Sequence, residues 1–147
     1  MKESVECAFT CAMRYLAAQM DVPKALREQF PYGFHVHTPS TSTPKDGPSA
    51  GCAFALAFIS KLLNRPIKRT VGITGEIDLN GNVTKIGGLL YKIIGAKSAG
   101  IRHVLISADN KLDMEEILRK HNELFDDTFT YSFVSTLQDA VAVALTP

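Results

Sequence analysis

Tryptophan is absent from the 147 residues, only three are cysteine, and no apolar run is long enough to span a bilayer. Each shortage removes a class of protein. The three thiols, Cys7, Cys11 and Cys52, are odd in number and lack the spacing of a disulfide framework. Reduced thiols in an intracellular compartment are expected, in the cytosol or in an organelle matrix such as the mitochondrial or peroxisomal one. Charge of one sign is also missing, since 16 Lys and Arg face 15 Asp and Glu and the formal net charge is +1. Nucleic-acid binding by counterion release needs a concentrated basic face, so no nucleic-acid partner is expected for this segment. Membrane attachment is not expected either, because Met1-Lys2-Glu3-Ser4 opens a charged amphipathic segment and not a signal peptide. Gly95-Ala96-Lys97-Ser98 lacks the paired glycines of a phosphate-binding loop, one of which directly precedes the lysine, so no nucleotide cofactor is expected here. His35, His37 and Cys52 lack a recognised metal-ligand spacing and a fourth partner, which excludes a metal from the expected cofactors.

What is present suffices for one domain over residues 1–147, because 46% of the chain is hydrophobic and can bury a single substantial core. Val5, Ala8, Phe9, Ala12, Met13, Leu16, Ala17 and Met20 recur at helical spacing and predict a first helix running to about Asp21. A short polar segment from Pro23 to Phe30 follows, then a strand over Gly33 to His37 and a loop from Thr38 to Gly47. Cys52 to Leu63 is helical in pattern, and Thr70 to Asp78 alternates as one strand. Asn80-Gly81 then turns the chain into Val83 to Ile86. Leu89 to Ala99 predicts a helix stopped by Gly100, His103 to Ile106 a buried strand and Lys111 to Lys120 a helix. The polar stretch Asn122 to Asp127 reads as a loop, Thr128 to Val134 as a strand and Leu137 to Leu145 as a last helix. The expected fold class is α/β (α+β), a compact mixed sheet flanked by helices.

Pro44-Lys45-Asp46-Gly47-Pro48-Ser49-Ala50-Gly51 ends the polar loop with a serine where an apolar helix begins. Pro48 suits a first helical position and would place Ser49 in the helix's first turn. Free N–H groups and the positive end of the helix dipole favour developing negative charge there, which suits a nucleophile. N-capping followed by tight packing at Ala50 and Gly51 is the purely structural alternative.

A serine needs a base. His35 and His37 lie on one face of their strand and supply one choice; Lys92, among Leu89, Leu90, Ile93 and Ile94 after Gly87-Gly88, supplies another. A lysine acts as a base only when neutral, which requires burial to lower its pKa. Thr74 and Glu76, on one face of their strand, carry a hydroxyl and a carboxylate that can orient an amine. A carboxylate touching Lys92 would raise its pKa and oppose base function, so Glu76 is expected to bind elsewhere or to act in a resting state.

The eight residues Pro44 to Gly51, Thr74-Gly75-Glu76-Ile77, Ile86-Gly87-Gly88-Leu89, Ala99-Gly100-Ile101 and Asn110-Lys111 occur in an order that resembles the proteolytic domain of Lon, the ATP-dependent serine-lysine protease. The resemblance extends over essentially the whole chain. It implies Ser49 as nucleophile, Lys92 as general base and Thr74 hydrogen-bonding near the lysine. It further implies that Asp46 can reach into the site and hold it inactive, and that His35 and His37 lie on the strand before the active-site loop.

One departure is Leu90-Tyr91, where the family usually has Lys-Glu, and this leaves Lys92 the one lysine of the motif. The resemblance also implies a longer parent, with ATP and Mg bound by an upstream ATPase module and the segment excised from it. The implied partners are unfolded polypeptide substrates and copies of the chain in a six-membered ring, with a monomer as the alternative for the isolated domain. A catalytically silent assembly or substrate-binding module is the rival function.

Overall fold

The computed structural model describes residues 1–39, 42–43 and 45–147. Helix α1 (Lys2–Ala17) buries Ala8, Cys11, Ala12 and Leu16, the i, i+3, i+4 stripe that its sequence carries. It stops at Ala17, short of Asp21, because Asp21 is committed to the next helix: its carboxylate accepts the Lys24 N–H at 3.0 Å and caps α2 (Val22–Gln29). The polar segment after Pro23 is therefore a helix with the proline in its first turn, where a missing N–H costs nothing.

The expected strand at Gly33 to His37 is not formed. Among the described residues no strand lies beside it, and an extended chain without a ladder partner is not a strand. Phe34 anchors the segment by stacking on Phe30, with ring centroids 4.4 Å apart, and meeting Phe9 and Phe58 edge-on. His35 and His37 are both exposed.

After α3 (Gly51–Leu63), the alternating run that reads as one strand splits at Gly75 into β1 (Val71–Thr74) and β2 (Glu76–Ile77). β1 joins β4 (His103–Ser107) and β5 (Thr130–Val134) in a parallel sheet ordered β1-β4-β5. β2 pairs antiparallel with β3 (Val83–Thr84) through the turn at Asn80-Gly81. The fold is α/β, as its sequence pattern predicts, with the parallel and antiparallel strands in separate sheets.

The parallel sheet divides the core. On one face Leu105 and Val134 pack with α1, α3 and α6 (Leu137–Ala144); on the other Val104 and Ile106 pack with α4 (Leu89–Ser98) and α5 (Lys111–Lys120). β4, central and covered on both faces, is the continuously apolar strand. β1 and β5 are its edges.

Asn110, fully buried, holds the approach to α4 in place. Its Oδ1 accepts the Ile86 N–H at 3.0 Å, and its Nδ2 donates to the Ile86 carbonyl at 2.9 Å and to Asp113 Oδ2 at 2.8 Å. Asn110→Ala strands both backbone groups of Ile86 and is expected to cost about 2–4 kcal/mol. A urea titration checks this as a lowered midpoint with unchanged slope.

Candidate active site

Ser49 precedes the N-cap Ala50 and does not lie inside the first turn of α3. Pro48 likewise stands outside the helix, where its carbonyl accepts the Gly51 N–H at 3.0 Å and closes a tight turn around Ser49 and Ala50. Sequence reasoning placed both residues a turn too far along because it assumed helical bonding for Ser49. The Ser49 carbonyl is instead taken by the Gly75 N–H at 3.0 Å, and the Gly75 carbonyl accepts the Cys52 N–H at 3.1 Å. The serine turn is thus tied to the end of β1. A side chain at Gly75 would put its Cβ 2.4 Å from Val83 Cγ1, so the approach that makes this pairing needs glycine.

Lys92 lies in the first turn of α4, whose N-cap Gly88 has a left-handed backbone at φ 64°. Leu89 and Ile93 turn into the core, Tyr91 is exposed, and Lys92 is half-buried between them. Lys92 helps line a cavity of about 320 Å³ together with Ser49, Thr74, Ile73, Ala96 and Val104. Burial lowers the Lys92 pKa from the ordinary lysine value. Among the described residues no carboxylate pairs with the ammonium to reverse that shift. No acceptor among the described residues takes the N–H groups of Ser49 or Ala50, and both residues line the cavity.

The remaining candidates separate from this group. Asp46 and Glu76 line a neighbouring cavity of about 500 Å³, together with Cys7, Gly47 and Pro48. The Asp46 carboxylate accepts the Met1 ammonium at 2.8 Å and the Gly47 N–H at 2.7 Å, and these bonds hold its pKa below the usual range. Thr74 and Glu76 fall in different sheets and different cavities because Gly75 interrupts the strand that would have aligned them.

No histidine among the described residues lines the Ser49 cavity. His103 starts β4 opposite Val71, at the far end of the sheet from Thr74, and shares a 2.7 Å hydrogen bond with Thr130 Oγ1. His121 borders a different cavity beside α5. The buried thiols are held protonated: burial pushes Cys52 up to about 12, and burial with the adjacent Cys7 pushes Cys11 up to about 11. Among the described residues no group of His, Cys, Asp and Glu could hold a metal ion, and no helix is long and apolar enough to cross a membrane.

Sequence reasoning missed the walls of the cavity, Ile73, Ala96 and Val104, because each reads as ordinary core. It also missed the part played by Gly75. The legible signal was a glycine inside an alternating strand, which marks a bulge or a close backbone approach.

All residues from 1 to 147 match the family described as the Lon protease (S16) C-terminal proteolytic domain. The chain is similar to a Lon protease homolog of Acanthamoeba polyphaga mimivirus, 48% identical over 96% of this chain and 14% of that protein. Lon protease of Borrelia duttonii is 45% identical over 80% of this chain and 14% of its own length. Lon protease of Flavobacterium johnsoniae is 37% identical over 99% of this chain and 17% of its own length. The chain therefore spans only a small part of the relatives that it matches.

A desolvated lysine binds its proton less tightly folded than unfolded, so stability rises as pH climbs from the lowered folded value toward the unfolded one. Below that window the full penalty of the buried charge is present. Lys92→Met removes the penalty and keeps the stem, so at pH 7 it is expected to melt above the parent. Thermal unfolding at pH 7 and at about pH 10, near the unfolded lysine pKa, should show the gap narrowing as pH rises.

Proposed function

The chain belongs to the Lon protease (S16) C-terminal proteolytic domain family, and from that premise we propose that it is a serine endopeptidase acting through Ser49 and Lys92. The observation that carries this reading is that the two residues line one cavity from which every histidine among the described residues is absent. Burial without a carboxylate partner moves the lysine toward the neutral form that a base requires.

Neutral Lys92 takes the Ser49 proton as Oγ attacks the peptide carbonyl; the ammonium then protonates the leaving amine, and water hydrolyses the acyl-enzyme by the reverse sequence. The N–H groups of Ser49 and Ala50 are the donors for the oxyanion. Thr74 orients the lysine amine from the cavity wall. Asp46 and Glu76 act from the neighbouring cavity, where a change in the loop before Ser49 would be needed to bring Asp46 into the site. His35 and His37 stay outside the chemistry.

The proposed substrates are unfolded or damaged polypeptides. In a longer protein, ATP hydrolysis on a separate Mg-binding module would drive their delivery, and six copies would form a ring.

Hydrolysis of a fluorogenic peptide and of unfolded casein tests the dyad. Ser49→Ala and Lys92→Met are each expected to lower kcat by about three orders of magnitude or more, with little further loss in the double variant. Because the base must be deprotonated, kcat should rise with pH to a plateau reached below the ordinary lysine pKa of about 10.4. A flat profile between about pH 6 and 9 at saturating substrate removes Lys92 from the role, and an inflection near the ordinary histidine value of about 6.5 points to an imidazole instead. Activity retained in both variants assigns the chemistry to other residues, whereas no hydrolysis by the parent with Ser49 and Lys92 intact favours the silent assembly or binding module.

A further inference from the structure

Along one face of α1, Cys7, Cys11 and Arg14 stand at i, i+4 and i+7 and donate to three successive carbonyls of the neighbouring segment. The Cys7 thiol reaches the Ile77 carbonyl at 3.3 Å, the Cys11 thiol the Asp78 carbonyl at 3.0 Å and the Arg14 guanidinium the Leu79 carbonyl at 2.7 Å. Two of the three donors that fix the end of β2 to the helix are therefore thiols. Ile77 is also the residue on which the start of α3 rests: a Cβ at Gly51 would lie 3.0 Å from its Cγ2 and 3.1 Å from its backbone nitrogen. The thiols thus bear on the same junction that joins Ser49 to Gly75.

The two thiols differ in access. Cys7 is half-buried and lines the cavity of about 500 Å³ next to the serine turn, whereas Cys11, one helical turn on, is buried and meets the Cys7 thiol. An outer thiol facing a cavity and an inner thiol beside it are the two parts of a dithiol that closes in two steps. We propose that Cys7 and Cys11 form a reversible oxidation site, closed to a disulfide by a small cationic disulfide RSSR, and that closure loosens β2 from α1. Glu3, Glu76 and Asp78 line the same cavity, which favours a cation over an anion as the reagent.

In the first step Cys7, on losing its proton to solvent, attacks one sulfur of RSSR; the S–S bond breaks, and RS⁻ leaves and takes up a proton. Cys11 then attacks the Cys7 sulfur of the mixed disulfide and expels the second RS⁻, which takes the Cys11 proton. Two thiols are oxidised, and one RSSR is reduced to two RSH. Side chains at i and i+4 of a regular helix hold their Cβ atoms about 5–6 Å apart, while a disulfide holds them at about 3.5–4.5 Å. Closure must therefore distort the turn of α1 between Cys7 and Cys11, and it removes both thiol donors from Ile77 and Asp78. The strain makes the bond easy to reduce, so the site reopens when thiol is supplied.

The probe is cystamine, added to the parent protein and followed by mass spectrometry and amide exchange. The mass is expected to fall by two hydrogens, within the proteolytic fragment that holds both Cys7 and Cys11, and to return when excess thiol is added. Cys11→Ser keeps a hydroxyl donor for Asp78 and is expected to stop at the mixed disulfide on Cys7, while Cys7→Ser is expected to stay unmodified. In the closed form, exchange at the Gly75 and Cys52 N–H groups should quicken about tenfold, since both belong to the junction that β2 continues. Three free thiols after treatment, a mixed disulfide that persists in the parent, a bond between Cys11 and Cys52, or unchanged exchange in the closed form each overturns the proposal. Mass and exchange carry the test, so a parent that hydrolyses nothing removes the dyad and leaves the thiol site standing; failure of the thiol site leaves the dyad untouched.

Discussion

Two backbone hydrogen bonds at Gly75, one from its N–H to Ser49 and one to its carbonyl from Cys52, are the constraint on which the candidate site depends. They tie the turn that carries the serine to the end of an edge strand, although twenty-odd residues of helix and connection separate the two in sequence. Neither bond is strong alone, at about 1 kcal/mol net, but breaking the pair at the buried Gly75 leaves four backbone polar groups without partners. Val83 fills the space that a side chain at Gly75 would take, so the antiparallel hairpin is packed into the same junction. Serine turn, sheet edge and hairpin are consequently one unit.

This junction explains why Ser49 and Lys92 come from opposite layers. α3 packs with Leu105 on one face of the sheet, while α4 packs with Val104 and Ile106 on the other. A cavity lined by both helices can exist only beyond the rim of the sheet, and β1 is that rim. The relative position of Ser49 and Lys92 is then set by the thickness of the sandwich and not by any direct bond between them. Asn110 acts on the same geometry from the α4 side, because by gripping both backbone groups of Ile86 it fixes where Gly88 can start the helix.

The elements with strong local signals were legible in the sequence. The apolar stripe of α1, the glycine stop after α4, the turn at Asn80-Gly81 and the buried strand β4 all follow from periodicity and turn chemistry. α2 was obscured because half of its eight residues are polar and its capping aspartate lies before the Pro23 taken as the break. The errors at Gly33 to His37 and across Gly75 share a cause. Alternation describes an extended chain, but whether that chain becomes a strand depends on a neighbour that periodicity does not reveal. Ser49, Lys92 and Thr74 were visible as residues; that they share a cavity while Asp46 and Glu76 share another depends on the break at Gly75, which only the tertiary pairing makes.

The electrostatics of Lys92 follow from the same architecture. A lysine in the first turn of a helix already faces the positive end of its dipole, and the half-buried cavity adds desolvation, so both influences favour loss of the proton. The four carboxylates that could have opposed them, Asp46, Glu76, Glu3 and Asp78, line the adjacent cavity on the other side of the Gly75 junction. Had β1 continued unbroken, Glu76 would have followed Thr74 on the lysine's side of the strand and held the ammonium charged. The break that gives the serine turn its anchor therefore also keeps Glu76 out of the cavity that Lys92 lines, and one glycine serves both requirements.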